Sequence, residues 1–373
     1  MSPPSGKRCW TWTALSQKRD KPVQINWTFF QPESLPEDFA ATWDRLNRRH
    51  CGSNPGLDYR FVWPLLRVFG DGSELVAVCD SGDETIAAVI LESDGPARWQ
   101  IYSPSQACLC PMVFNRNHDA SILIDELLRQ LPGFATRLRI SRIDPACQPY
   151  TQLADAPTSD TSSYGTTFNI TLEQPFDDYW QGRSKGLRYK LRKLGRLAEK
   201  DNKQFALMTS VEPEEVTAGV NTHGCLESKG WKGQNGTAIS EHNAQGEFYR
   251  EIMSGFARTG DALIAQLRCD NEVIASLLCI GLNDTMIVLK TAYDESYAKY
   301  APGRLMDYYF LEKICGISGY RNVEMYTRAS SSDLSWATDS REWYDLDIYR
   351  NRVVHAGFEA VRRIRDAAAR TTK

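Results

Sequence analysis

The sequence predicts a mixed α/β protein in two lobes, with sheets that are mostly antiparallel. Three observations carry this. First, the chain has 373 residues, room for two domains of ordinary size. Second, 262–292 reads as a three-strand meander of Ala262–Arg268, Val273–Gly281 and Thr285–Ala292. Its turns, Asp270-Asn271 and Asn283-Asp284, carry the residues hairpins favour. Third, Pro302-Gly303 opens a helix expected over 304–318, and Val323–Thr327 reads as another strand. A doubly wound nucleotide fold would instead alternate strand and helix from the start.

The first half gives the same theme. Residues 36–49 place Phe39, Trp43 and Leu46 on one helical face. Glu74–Asp80, Thr85–Leu91, Ala97–Tyr102 and Leu138–Ile143 read as strands, and 120–130 as an amphipathic helix. Residues 152–164, rich in Ser, Thr, Asp and Pro, are expected to be an exposed loop. Thr166–Leu172 alternates like a strand. In the second half, 205–209 reads as a strand, 213–225 and 247–259 as helices, and 230–236 as a Gly-rich loop. The last helix is expected over 354–370, with an arginine-rich solvated face on an apolar stripe. The expected division is 1–25 loosely ordered, 26–174 an N-terminal lobe, 175–203 a basic connecting helix, and 204–373 a C-terminal lobe.

Composition is that of a globular protein, with 42% hydrophobic and 24% charged residues. A net charge of -3 argues against general nucleic-acid binding and leaves room for a local basic patch. The ten cysteines contain no CxxC, and the five histidines never fall at metal-ligand spacing, so no metal is expected. No apolar run approaches the roughly 18 residues of a membrane span. The N-terminus lacks the apolar core of a signal peptide. A reduced, cytoplasmic setting is the expectation.

Two segments point to chemistry. In Lys290–Met306 a strand end leads through a polar loop to Pro302-Gly303. A ligand can approach the backbone closely at glycine. A helix start offers free N–H groups and partial positive charge. Together they suit a phosphate or pyrophosphate; the plainer reading is a strand-to-helix connection. The second segment is the run Arg183, Lys185, Arg188, Lys190, Arg192, Lys193, Arg196 and Lys200. It interleaves with Leu187, Leu191, Leu194 and Leu197. That is an amphipathic helix with one strongly positive face, either simply solvated or a contact for phosphates.

The second half resembles the GNAT superfamily of acyl-CoA-dependent N-acyltransferases. It is most similar to tandem-GNAT proteins of the CelD-type and BioF-like groups, and more distantly to Fem-type transferases, which use aminoacyl-tRNA. The resemblance rests on the basic helix from Tyr179 to Arg188, on Leu226-Glu227-Ser-Lys-Gly-Trp231-Lys232-Gly233, and on Phe248. Ile274-Ala275, Tyr293-Asp294-Glu-Ser-Tyr297, Pro302-Gly303 and Trp336 complete it. It covers about 175–350, with the first half a diverged copy. Two departures stand out. Only Gly303 remains of a longer glycine pattern, and Asp333 stands where the family often has Lys.

The resemblance implies two GNAT-like lobes with the acyl-donor site in the second. Acetyl-CoA or another acyl-CoA would lie against Pro302, Gly303, Arg304 and Leu305. The acceptor would be an amine of an amino sugar or amino-acid-derived metabolite. Asp294 and Glu227 are the candidate proton acceptors; capping of 295–296 and pairing with Lys229 or Lys232 are their structural alternatives. Tyr297, Tyr293 and Tyr326 are candidates to protonate the leaving thiolate. Lys232 and Lys290 would hold an anionic group, and Trp231 and Trp336 would wall the acceptor pocket beside Tyr293. The first lobe, without a comparable phosphate loop, would shape the acceptor cleft. A Fem-type aminoacyl-tRNA-dependent transferase, gripping tRNA through helix 183–200, is the alternative. An inactive scaffold in a polysaccharide or secondary-metabolite pathway is the second.

Overall fold

The computed structural model describes residues 25–230, 238–315 and 319–371. The expected loose N-terminus, nearly all of the Gly-rich loop and the last residues expected in the Pro-Gly helix lie outside them. The first part runs β1 (Ile25–Phe30), α1 (Phe39–Cys51), α2 (Tyr59–Phe69), β2 (Leu75–Ser81), β3 (Glu84–Ser93), β4 (Arg98–Ile101) and β5 (Met112–Phe114). Then come α3 (Ala120–Gln130), β6 (Arg137–Ile143), α4 (Tyr150–Ala154), β7 (Ser159–Thr171), α5 (Phe176–Gln181) and α6 (Lys185–Lys200). The second part runs β8 (Phe205–Ser210), α7 (Pro213–Lys229), α8 (Ala244–Ala257), β9 (Ala262–Cys269), β10 (Glu272–Leu282) and β11 (Thr285–Tyr293). It ends with α9 (Pro302–Ile314), β12 (Asn322–Glu324), β13 (Asp339–Tyr349) and α10 (Arg352–Thr371).

The strands join in the order β1-β2-β3-β4-β6-β13-β7-β12-β11-β10-β9-β8, with β5 on β3. This order is a pseudo-repeat. Each lobe has four antiparallel strands, then one parallel step, β4 to β6 in the first and β11 to β12 in the second. An antiparallel strand follows, β13 or β7. Those two strands are exchanged: the first lobe ends on β13 from the end of the chain, the second on β7 from the middle. β7 and β13 pair with each other and make the sheet continuous.

Two elements overturn the sequence reading. Residues 159–164, expected in an exposed loop, begin β7, and 150–154 form α4. Polar side chains there find partners on the sheet, as where Ser163 and Thr166 both donate to Glu342. β13 gave no clear signal, because its register slips between Trp343 and Tyr344. Such a bulge breaks the alternation that marks a strand. Helix α2 was also missed, as Pro64 sits inside it. The single basic connecting helix is two: it breaks at Gly182–Ser184, and Ser184 caps α6 by accepting from the Leu187 N–H at 3.2 Å. The apolar stripe of α10 is uncovered, with Val361 and Ile364 exposed.

One face of the sheet carries a core shared by both lobes, in which α1 and α2 meet α7 and α8; Phe61 packs edge-on against Phe248 at 5.6 Å. The other face carries two separate cores, one under α3 and one under α5, α6 and α9. No described helix is long and apolar enough to cross a membrane.

Candidate active site

The parallel ladder between β11 and β12 is short. It spans Thr285–Ile287 against Asn322–Glu324. β11 continues to Tyr293, still paired with β10 on its other edge. A bulge at Leu278/Cys279 re-aims the β11 side chains there. Beyond the ladder a gap opens between the two chains, and a cavity lies on each face of the sheet at that gap.

The cavity on the α9 face measures about 600 Å³ and is walled by Pro302, Gly303, Arg304, Tyr293 and Trp336 among others. The cavity on the shared-core face measures about 460 Å³; the first lobe supplies Ser105–Cys108 and Arg142, the second Gln245, Tyr249 and Lys290. Val288, Thr291, Met325 and Thr327 line both. Thr291 also lines a small side cavity with Glu227 and Tyr293.

The start of α9 is set by its lead-in. Asp294 caps a 3-10 turn over Glu295–Tyr300, Ala301 takes a left-handed conformation (φ 49°), and Pro302 begins the helix. The left-handed backbone suits glycine better than alanine, and such positions cluster at functional sites. The first-turn N–H groups are partly spent. Those of Arg304 and Leu305 both donate to the Ala301 carbonyl, at 3.0 and 3.2 Å. Pro302 has none, so the Gly303 N–H is the donor left over. This corrects the expectation that Arg304 and Leu305 would contribute N–H groups as freely. Arg304 keeps its side chain on the cavity wall.

Acids share this wall. Asp333 accepts from the Ser330 N–H at 2.8 Å. The Asp307 carboxyl is pushed up to about 7, by burial first and by the charge of Asp333 second, against Arg304.

The proposed bases separate. Asp294 accepts from Ser296 N and Oγ and from Lys229 at 2.9 Å. Its carboxyl is held below the usual range, chiefly by Ser296 and then Lys229. It lines none of these cavities, and the role its contacts show is the cap. Asp294→Ala should cost about 1 kcal/mol of stability, the usual value of a cap, and leave turnover within a few-fold; thermal melts and steady-state rates check this. Tyr297 also falls away: it donates to Glu272 at 2.6 Å on the β9–β10 edge. That carboxylate pushes its phenol up to about 12.

Glu227 belongs to α7, which runs to Lys229, and not to a loop. It is 4% exposed. It accepts from the Ile239 N–H at 3.0 Å and from Lys290 at 3.4 Å. His223 stands one turn earlier, with Nε2 3.6 Å from Glu227 and Nδ1 3.2 Å from Ser276 Oγ. Lys290 lies 5.0 Å from the Tyr249 ring centre. Trp336 stacks on Trp180 at 5.9 Å and walls the α9-side cavity, not the opposite one. Trp231 and Lys232 lie outside the described residues.

Arg142, Thr291 and Tyr326 are site residues the sequence did not single out as a set. Arg142 (φ 59°) donates to the carbonyls of Ser103, Pro104 and Ala107 and to Ser103 Oγ. Tyr326 (φ 34°) accepts from Asn54 Nδ2 at 2.6 Å. Among the described residues, no carboxylate lines the cavity they share. Away from the site, Asp160, His355 and Glu359 come within 4.8 Å of one another. Arg362 already pairs with both acids, which makes the group an ion-pair cluster.

Among the described residues of the first lobe, the corresponding helix start is already capped. At the start of α3, the equivalent helix after β4, Asp119 caps Ser121 N and Gln152 takes the Ala120 N–H. A carboxylate there opposes an anion.

Residues 182–331 match the family model described as an acetyltransferase (GNAT) domain. FemX is similar in structure over 83% of this chain and 96% of its own, with TM-score 0.55 and 10% identity. L-PGS from Bacillus licheniformis is similar over 85% and 92%, with TM-score 0.51 and 13% identity. The C-terminal domain of a protein named as a lysylphosphatidylglycerol synthetase from Agrobacterium fabrum is similar over 85% and 93%, with TM-score 0.51 and 14% identity. No curated protein sequence matches the chain. The fold is thus the two-lobed one shared with FemX and L-PGS, and residues 182–331 are similar to an acetyltransferase (GNAT) domain.

Proposed function

We propose that the protein is an N-acyltransferase that moves an acyl group, most simply acetyl, from a CoA thioester to an amine. One observation carries this reading: two cavities on opposite faces of the sheet meet at the same four residues in the β11–β12 gap. The donor lies on the α9 side with its phosphates near the Gly303 N–H and Arg304. The amine enters from the side built by both lobes. Holding the two on one line supplies most of the rate.

The amine nitrogen attacks the thioester carbon, and the C–S bond breaks. β11, freed from the ladder beyond Ile287, presents backbone N–H groups to the developing oxyanion. Glu227 takes the amine proton through the side cavity at Thr291. Of the candidate tyrosines, Tyr293 stands on the donor side, 46% exposed, and returns a proton to the thiolate. The acceptor carries an anionic group, for which Arg142 and Lys290 provide a cavity without acids. Glu227→Gln should lower kcat by roughly 10²–10⁴-fold with donor affinity kept, the range for losing a general base; rapid-quench kinetics and donor titration check it.

Asp307 gives a pH test. Below about pH 7 its carboxyl is neutral; above, its charge opposes the donor phosphates. Donor affinity should fall as pH rises through about 7. Asp307→Asn should flatten that profile and tighten binding at pH 8 by about 1 kcal/mol, the scale of one screened charge interaction.

A second reading, transfer from aminoacyl-tRNA, is favoured by one observation. Among the described residues, none of the α6 cations from Lys185 to Lys200 makes an ion pair, and Tyr189 stands 60% exposed among them. Binding of that kind would weaken steeply with salt. Calorimetric titration with acetyl-CoA, free CoA and an aminoacyl-tRNA separates the readings. Micromolar heat with CoA supports the first. Heat with tRNA alone, lost after RNase, supports the second. Neither would leave an inactive scaffold.

A further inference from the structure

We propose that Cys51 and Cys147 form a reactive thiol pair that closes to a disulfide by exchange with an anionic low-molecular-weight disulfide. Most described cysteines are core thiols; burial pushes Cys79, Cys108 and Cys110 up to about 12. Such thiols are inert. Cys51 and Cys147 are different. Both are partly exposed. One ends α1 and the other lies in the turn after β6, and the Cys51 thiol donates to the Cys147 carbonyl at 3.0 Å.

The surroundings favour an incoming anion. Cys147 lines a surface cavity of about 370 Å³ with His50, Arg116 and His118, and among the described residues no carboxylate lines it. Arg116 reaches the Cys147 carbonyl at 3.5 Å. His50 is 2% exposed; its Nδ1 accepts from the Phe114 N–H at 3.3 Å and its Nε2 has no partner. Burial alone would raise the Cys51 thiol. The interaction with Cys147, then His50 and Arg116, outweighs it and holds the group below its ordinary value. Cys147 is pushed the other way, so Cys51 attacks first.

The chemistry balances. The Cys51 thiolate attacks one sulfur of the incoming disulfide and expels a thiolate. Cys147 loses its proton to solvent and attacks Cys51 in the mixed disulfide, expelling the second. The pair gives up two electrons, and the small disulfide becomes two thiols. Asn54, just beyond Cys51, holds Tyr326 on the wall of the acceptor-side cavity. The covalent step itself does not depend on the acyl-transfer reading.

The test is incubation of the full chain with oxidised glutathione between about pH 5 and pH 9, around the ordinary thiol value. Alkylation and non-reducing peptide mapping follow. The expected product joins the Cys51 and Cys147 peptides, with a rate that inflects below the ordinary thiol value. Cys147→Ser should stop at glutathione on Cys51. Cys51 staying reduced while the exposed Cys225 takes glutathione would overturn the proposal. So would glutathione remaining on Cys51 in the wild-type chain.

Discussion

Gly303→Trp is expected to abolish donor binding while the protein stays folded. A Cβ at Gly303 would meet nothing nearer than Tyr293 Cδ1 at 4.0 Å. The position therefore tolerates a side chain, and φ imposes no glycine requirement there. A tryptophan would project into the cavity of about 600 Å³ and cover the Gly303 N–H at the helix start. A CoA-sized ligand commits several kcal/mol to its phosphates, so a loss of at least about 100-fold, some 2.7 kcal/mol, is expected. Gly303→Ala should lose far less. Calorimetry on wild type and both variants, with a thermal melt for each, checks this. Equal affinity in wild type and the tryptophan variant would remove the donor from α9.

Arg341→Met is expected to destabilise the fold by about 3–5 kcal/mol, the cost of stranding a buried charge partner. Arg341 on β13 makes a two-pronged contact with Asp144, at 2.8 and 2.6 Å, and reaches Glu324 at 2.8 Å. Asp144 is fully buried and Glu324 nearly so. This cluster ties the exchanged strand β13 to the end of β6 and to β12, where the two lobes cross. Glu324 is pushed up to about 7 by burial, with Arg341 pulling the other way. A raised carboxyl gives stability that is present below its unfolded value of 4.5 and lost as pH rises through about 7. Without Arg341 that loss deepens. The variant should therefore lie closer to wild type at pH 5 than at pH 8 in denaturant midpoints. A uniform small loss would mean that the cluster does not hold the crossing.

Much of the second lobe is legible because its signals are local. The meander over 262–292 and its Asx turns emerge almost to the residue, and Pro302-Gly303 marks the start of α9. What escapes is what depends on distance in the chain. β13 loses its alternation at a bulge, and the polar start of β7 has partners such as Glu342 that lie far along the chain. Glu227 and Asp294 illustrate the limit. Both are acids beside a cleft in sequence, yet Asp294 is spent on Ser296 and Lys229 while Glu227 is buried against Lys290. Arg142, Tyr326 and Thr291 become one wall only when β6, β11 and the chain after β12 come together, and no local pattern announces that.

The most direct test of the account is a crystal structure of the protein with CoA and a carboxylate-bearing amine. The account predicts the pyrophosphate at the Gly303 N–H and Arg304, and the thiol in the β11–β12 gap at Thr291. The amine should stand on the opposite face, with its carboxylate toward Arg142 and Lys290. CoA bound elsewhere, or donor and amine on the same face of the sheet, would contradict it.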